Sequence, residues 1–301
     1  MQVLSIVKSM SLIGLEGYLI NVQVDVSAGM PCWEIVGLPD TSVKESKERV
    51  RTAVKNSGYE LLSRRVVVNL APADIKKEGS FFDLPIAIGI LMCCEEIKEN
   101  QISDIVFVGE LSLDGTINKI NGVLPMCIEA RRLGMKKIVV PIQNMKEASI
   151  VKDIEVLGAH NLQEVVKYIN GEQELTKAEE NMLTSTQRQT GIKLDFSEVK
   201  GQENVKRALE VAASGGHNCL MIGMPGSGKT MMVRRLPTIL PDLNFDEALE
   251  TTKIHSVSGT LEKDVGLITT RPFRAPHHTI SYTSLIGGGR IPKPGEVSLA
   301  H

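Results

Sequence analysis

The feature that most constrains this chain is the run Gly223, Met224, Pro225, Gly226, Ser227, Gly228, Lys229, Thr230, which spells G-x-x-x-x-G-K-T. Glycines let a backbone turn its N–H groups inward around an anion without Cβ clashes, and a helix that opens from the loop adds its positive dipole end. Such a loop requires a strand before it and a helix after it. Residues 219–222 read as a short buried strand, and a helix can follow the loop until Pro237. Lys229 would then meet the β- and γ-phosphates, and the Thr230 hydroxyl would ligate Mg2+ bridging them. The motif therefore implies ATP, or a related nucleotide, with Mg2+.

The 301 residues, 42% hydrophobic and 23% charged, leave room for about two domains of roughly 100–200 residues each. With 34 basic and 36 acidic side chains the net charge is −2, so any nucleic-acid contact has to come from a local patch. Cys32, Cys93, Cys94, Cys127 and Cys219 are odd in number and form no C-x-x-C pair, which fits reduced thiols better than a disulfide scaffold or structural zinc. The longest uncharged apolar run, 84–94, is too short to cross a bilayer, and the N-terminus lacks a signal peptide's apolar block. These features predict a cytoplasmic protein with no membrane partner.

The stretch 171–191 has only Leu175, Met182 and Leu183 as sizeable apolar groups and reads as a linker or exposed helix between domains at 1–170 and 192–301. No internal repeat is visible on either side. Tyr18, Ile20, Val22, Val24 and Val26 alternate with polar residues, the period of a strand with one buried face. Ser42 and Glu45 are spaced as a capping box, Val43, Val50 and Val54 recur at helical spacing, and Gly58 supplies a stop. Strands are predicted at 66–70, 105–108 and 138–140, and helices at 84–96 and 125–133. Val205, Ala208, Leu209 and Ala212 mark an amphipathic helix before the loop, ended by Gly215 and Gly216. Both halves read as α/β.

Residues 194–202, Leu-Asp-Phe-Ser-Glu-Val-Lys-Gly-Gln, resemble the adenine-side segment that opens AAA+ ATPase modules. The runs 271–281 (RPFRAPHHTIS) and 287–301 (GGGRIPKPGEVSLAH) closely resemble the segment of magnesium-chelatase-like AAA+ proteins, and the chain as a whole resembles the YifB/ComM family. That resemblance implies an N-terminal Lon-protease-like domain of the ribosomal-S5-domain-2-like fold, followed by a P-loop NTPase (AAA+) module. It also implies ATP hydrolysis by a ring-shaped, hexameric motor, with helicase-type branch migration on DNA during natural transformation as the family's activity. No Asp-Glu pair on an apolar strand follows in this sequence. The family's Walker B acid, sensors and arginine finger are therefore expected beyond His301, and this front part of a longer protein is expected to bind ATP without turnover. The alternatives are the ATPase subunit of a metal-inserting chelatase, and a non-hydrolysing ATP-binding or assembly module.

Lon proteases carry a serine in a K-D-G-P-S-A-G stretch, which the run 77–83 (KEGSFFD) resembles with Phe81 in the nucleophile's place. The family's catalytic lysine falls at Leu124, so both members of the Ser-Lys pair are missing and no protease is expected. The neighbouring Ser80 would need a base within reach and is read as a turn residue. On the C-terminal side, Arg271, Arg274, Arg290 and Lys293 face the single carboxylate Glu296, a local excess that makes them candidates for DNA contact or for pairing with acids of the module. His277 and His278 have no second cluster at ligand spacing and are assigned to packing or hydrogen bonding. Arg64 and Arg65 read as a solvated strand edge.

Overall fold

The computed structural model describes residues 4–60, 64–97, 102–178, 194–262, 265–289 and 292–301. They fall into two units: one takes the residues up to 178 together with those of 256–266, the other those of 194–255 and 267–301.

In the first unit β1 (Leu4–Ile13) and β2 (Glu16–Ser27) form a long antiparallel hairpin, with Leu4 opposite Asp25 and Ile13 opposite Glu16. The alternation in β2 is realised, with Ile20, Val22, Val24 and Val26 buried between half-exposed polar residues. Then follow β3 (Cys32–Val36), α1 (Thr41–Asn56), β4 (Arg65–Ala71), α2 (Asp83–Cys93), β5 (Ile105–Phe107), β6 (Glu110–Leu111) and β7 (Ile117–Asn118). After these come α3 (Val123–Arg132), β8 (Lys137–Pro141), α4 (Met145–Ala148), β9 (Glu155–Ala159), α5 (Leu162–Ile169) and β10 (Thr176–Lys177). Eight strands form one sheet in the order β10-β9-β8-β5-β1-β2-β4-β3, while β6 and β7 pair as a separate hairpin. The sheet is mixed: β9, β8, β5 and β1 run parallel in series, as do β4 and β3, whereas β10/β9, β1/β2 and β2/β4 are antiparallel.

Helix α2 is buried at every position, which explains why its sequence is apolar all round. It packs on β2 where Gly89 meets Val24, whereas α3 packs on β2 where Glu129 meets Gly17. Positions 17 and 24 point to opposite faces of a strand, so the two helices cover opposite sides of the sheet.

Two local expectations change. Helix α1 is capped by Asp40, whose Oδ1 accepts from the Val43 amide at 2.8 Å, and not by the Ser42–Glu45 pair. Asp40 is the last residue with extended backbone, ψ −176, whereas Ser42 already lies inside the first turn. Within the polar stretch 171–191, Thr176–Lys177 pairs with β9 and Leu175 is buried in the core. Residues 179–191 of that stretch lie outside the described residues.

The second unit contains α6 (Glu203–Gly215), α7 (Lys229–Arg235), α8 (Phe245–Ser258) up to His255, α9 (Tyr282–Ile286), the hairpin β11 (Gly287–Gly288) with β12 (Lys293–Pro294), and α10 (Glu296–Leu299). A small core joins Phe196, Val199, Leu209 and Met232. The buried strand expected at 219–222 is not formed: the backbone is irregular there, and Leu220 and Ile222 are 85% and 89% exposed. The strands described in this unit, β11 and β12, pair with each other. A β segment with no neighbour to take its N–H and C=O groups has no means of leaving water.

Candidate functional site

The phosphate-binding motif is built on glycine backbone and one ammonium. Gly226 and Gly228 sit at φ +81 and +85, a conformation other residues enter only under strain, and a Cβ on either would meet no atom within 4 Å, so the loop is open above them. Helix α7 starts immediately after Gly228 with no side-chain cap, which leaves the first-turn N–H groups available to an anion. Lys229 folds over the loop and donates to the Gly223 and Met224 carbonyls at 2.7 and 2.8 Å, with Ser227 Oγ at 3.3 Å. The ammonium thus already lies at the centre of the loop, where an incoming phosphate would compete with two carbonyls for it. Thr230 follows in the first turn and is exposed. Amides, an ammonium and a hydroxyl in one turn are the donor set a Mg2+-nucleotide needs.

The segment 194–202 is brought against the helix that leaves the loop. Phe196 packs with Met232 of α7. The Phe196 amide donates to Thr238 Oγ1 at 3.2 Å, and Arg235 holds Glu198 Oε2 with Nε at 3.0 Å and Nη2 at 2.5 Å. Asp195 caps this turn, its Oδ1 accepting from the Ser197 amide at 2.8 Å. Sequence reasoning missed the Glu198–Arg235 clamp, because its partners stand 37 positions apart with no periodic relation.

Two family models, both describing subunit ChlI of magnesium chelatase, match residues 22–144 and 195–301. Competence protein ComM of Haemophilus influenzae is 41% identical over 300 residues, covering 99% of this chain and 58% of that protein. YifB of Escherichia coli is 43% identical over 298 residues, with the same two shares. The chain belongs to the magnesium-chelatase-like YifB/ComM family. The Gly223–Thr230 loop falls within the second of the two family-model matches. This YifB/ComM chain spans 58% of the length of those two relatives.

Lon protease 2 of Bacillus subtilis is 27% identical over 172 residues, 51% of this chain and 30% of that protein. At the two positions expected from the sequence for the Lon dyad, Phe81 and Leu124, the side chains carry no reactive group. Phe81 is half-buried against Phe82, with ring centroids 4.7 Å apart, and its carbonyl accepts from the Gly109 amide at 3.0 Å. Leu124 is fully buried near the start of α3. Beside them Ser80 Oγ donates to Glu110, whose other oxygen accepts from Asn118 Nδ2 at 3.2 Å. The buried Lys77 ammonium donates to the Pro72 carbonyl, and its backbone bonds Leu38 and Asp40, so it clasps two loops together.

The C-terminal basic residues divide. Arg271 Nε donates to the Pro241 carbonyl at 2.7 Å and Nη2 lies 3.2 Å from Glu247, while Arg274 grips Glu296 with bonds of 2.7 and 2.6 Å. Each guanidinium is matched to an acid of the same unit, and Glu296 beside Arg274 is held below the usual carboxylate range. Lys293 is exposed on β12, and Arg290 lies outside the described residues. His277 Nδ1 meets Thr279 Oγ1 at 2.7 Å and its ring lies 4.2 Å from that of His278, a packing and hydrogen-bonding role. Among the described residues no group of three or more His, Cys, Asp or Glu side chains could hold a metal, and no helix is long and apolar enough to cross a membrane.

Proposed function

We propose that this chain is the ATP-binding part of an ATP-driven DNA motor of the ComM kind, a branch-migration helicase that works in the cytoplasm as a ring homo-oligomer, a hexamer, in competence and recombination. The observation that carries the reading is 41% identity to a competence protein over 99% of the chain, together with a G-x-x-x-x-G-K-T loop whose lysine folds over the loop onto the Gly223 and Met224 carbonyls. Gly223 to Thr230 bind the triphosphate, and Thr230 carries Mg2+. DNA is contacted from the basic C-terminal segment, with Lys293 and Arg290 at the front, while Arg271 and Arg274 reach phosphate only by leaving Glu247 and Glu296. Free cysteines support the cytoplasmic assignment. The two domains are divided at the polar stretch 171–191, with β10 and residues 256–262 joining the first, and the first, lacking its Ser-Lys pair, is a binding or assembly scaffold, a role that rests on fold analogy.

DNA-stimulated ATP hydrolysis tests the motor; its absence defeats it. For these 301 residues alone the expected outcome is nucleotide binding without turnover, since no Asp-Glu pair on an apolar strand supplies the acid that orients water. Turnover that disappears in Lys229→Ala would contradict this. A metal-chelatase ATPase subunit is the second reading, favoured by the ChlI family models. A porphyrin metallation assay separates the two.

A further inference from the structure

Residues 256–262 are the last turn of α8 and the segment after it, and they pack within the first unit. The Gly122 amide donates to the Ser256 carbonyl at 3.0 Å, Lys119 Nζ donates to the Leu261 carbonyl at 3.4 Å, and Leu261 is buried. Gly259, at φ +74, lies so close to Asn121 that a Cβ would come within 2.7 Å of its side-chain nitrogen. The strap is therefore seated on the short run 119–122 that leads into α3.

Beneath that seat lies Glu147 of α4, only 4% exposed. Asn144 Nδ2 donates to its Oε1 at 3.1 Å, and Asn144 is itself pinned by the Ile120 amide at 3.0 Å and the Ile120 carbonyl at 2.8 Å. The Val123 amide in the first turn of α3, the Lys119 ammonium and the Ser256 hydroxyl of the strap all bear on the same carboxyl and favour its charged form. The Cys127 thiol of α3 also faces it, but complete burial pushes that thiol far up and keeps it neutral. Burial outweighs the favourable partners and raises Glu147 to about 7. The Ser256 hydroxyl is buried, and its approach to Glu147 falls outside ordinary hydrogen-bond geometry.

We propose that Glu147 is a proton-operated latch: with a proton on its carboxyl the 256–262 strap stays seated on the first unit, and on ionisation the strap lifts. Two effects drive release. A buried carboxylate gains hydration when the strap uncovers it. It also attracts Lys119, the cation that otherwise holds the Leu261 carbonyl of the strap.

The test is amide hydrogen exchange on the 301-residue chain from pH 6 to 8, corrected for intrinsic exchange, read at 256–262 and at Gly122. An acid with a pKa of 4.5 when open and about 7 when covered changes the opening equilibrium about tenfold over that range, with opening greater at high pH. Glu147→Gln should hold the strap at its low-pH protection throughout. A flat wild-type profile overturns the latch even if the variant fails to fold. So does a pH dependence that persists unchanged in Glu147→Gln, which would show that another group governs the strap.

Discussion

Arg49 reaches from α1 to the fully buried carboxylate of Asp83 in α2, with Nε at 2.7 Å and Nη2 at 3.0 Å from its two oxygens. The Leu111 amide donates to the same carboxylate at 3.2 Å, so one side chain joins α1, α2 and the β6–β7 hairpin. Removing the guanidinium would leave a buried charge with only the Leu111 amide and the Ser46 hydroxyl. Arg49→Ala is expected to destabilise the chain by about 3–5 kcal/mol, seen in urea unfolding. A loss below about 1 kcal/mol would mean that Asp83 is not relying on its arginine.

Lys229→Ala deletes the charge-assisted contact to phosphate. Nucleotide affinity should fall by roughly 1.5–3 kcal/mol, about ten- to a hundredfold, in a titration with ATP and Mg2+. An unchanged dissociation constant would place the nucleotide elsewhere.

Leu220, Ile222 and Met224 form an exposed apolar run, Met224 being 78% exposed. Such a run promotes association, so the 301-residue chain is expected to self-associate in sedimentation velocity, and the double change Leu220→Ser, Ile222→Ser to reduce it. A monodisperse monomer for the unaltered chain would contradict this.

Glu147 also gives overall stability a pH dependence whose sign is fixed by its raised pKa. Folded chains hold its proton up to about 7, whereas unfolded chains lose it near 4.5. Its contribution is fully present below the lower value, declines as pH rises between the two, and is gone above the upper. The total is on the order of 3 kcal/mol. Glu147→Gln lacks this decline, so the stability of the variant relative to wild type should rise from pH 5 to pH 8; an unchanged difference would place the Glu147 carboxyl in water.

Lys293 and Arg274 should behave differently toward DNA. Lys293→Ala is expected to lower the slope of log affinity against log salt by about one, since an exposed lysine on phosphate releases a counterion. Arg274→Ala should act first on the unfolding of the second unit, because it breaks the bidentate pair with Glu296. Equal effects of both on the slope would mean that the Arg274–Glu296 pair opens on DNA.

Much of the fold could be read from local pattern. The alternation of β2, the stops at Gly58 and Gly216, and the strands at 66–70, 105–108 and 138–140 reappear as β4, β5 and β8 with small shifts at their ends. The helices expected at 84–96 and 125–133 reappear as α2 and α3. The glycine-rich loop was readable because Gly226 and Gly228 take a backbone conformation that only glycine adopts freely. The state of Arg271 and Arg274 was not, since their acids lie 24 and 22 positions away and no spacing rule pairs them.

By itself the amino-acid sequence determined the glycine-rich loop, the α/β character of the first unit and the family, because glycine placement and hydrophobic period act over a few neighbouring residues. Only the tertiary structure decided that 219–222 stays exposed, that two of the candidate DNA contacts are neutralised, and that 256–262 seats over a carboxyl titrating near neutrality. Strand pairing, ion pairing and the cost of burying charge depend on which distant groups meet in space.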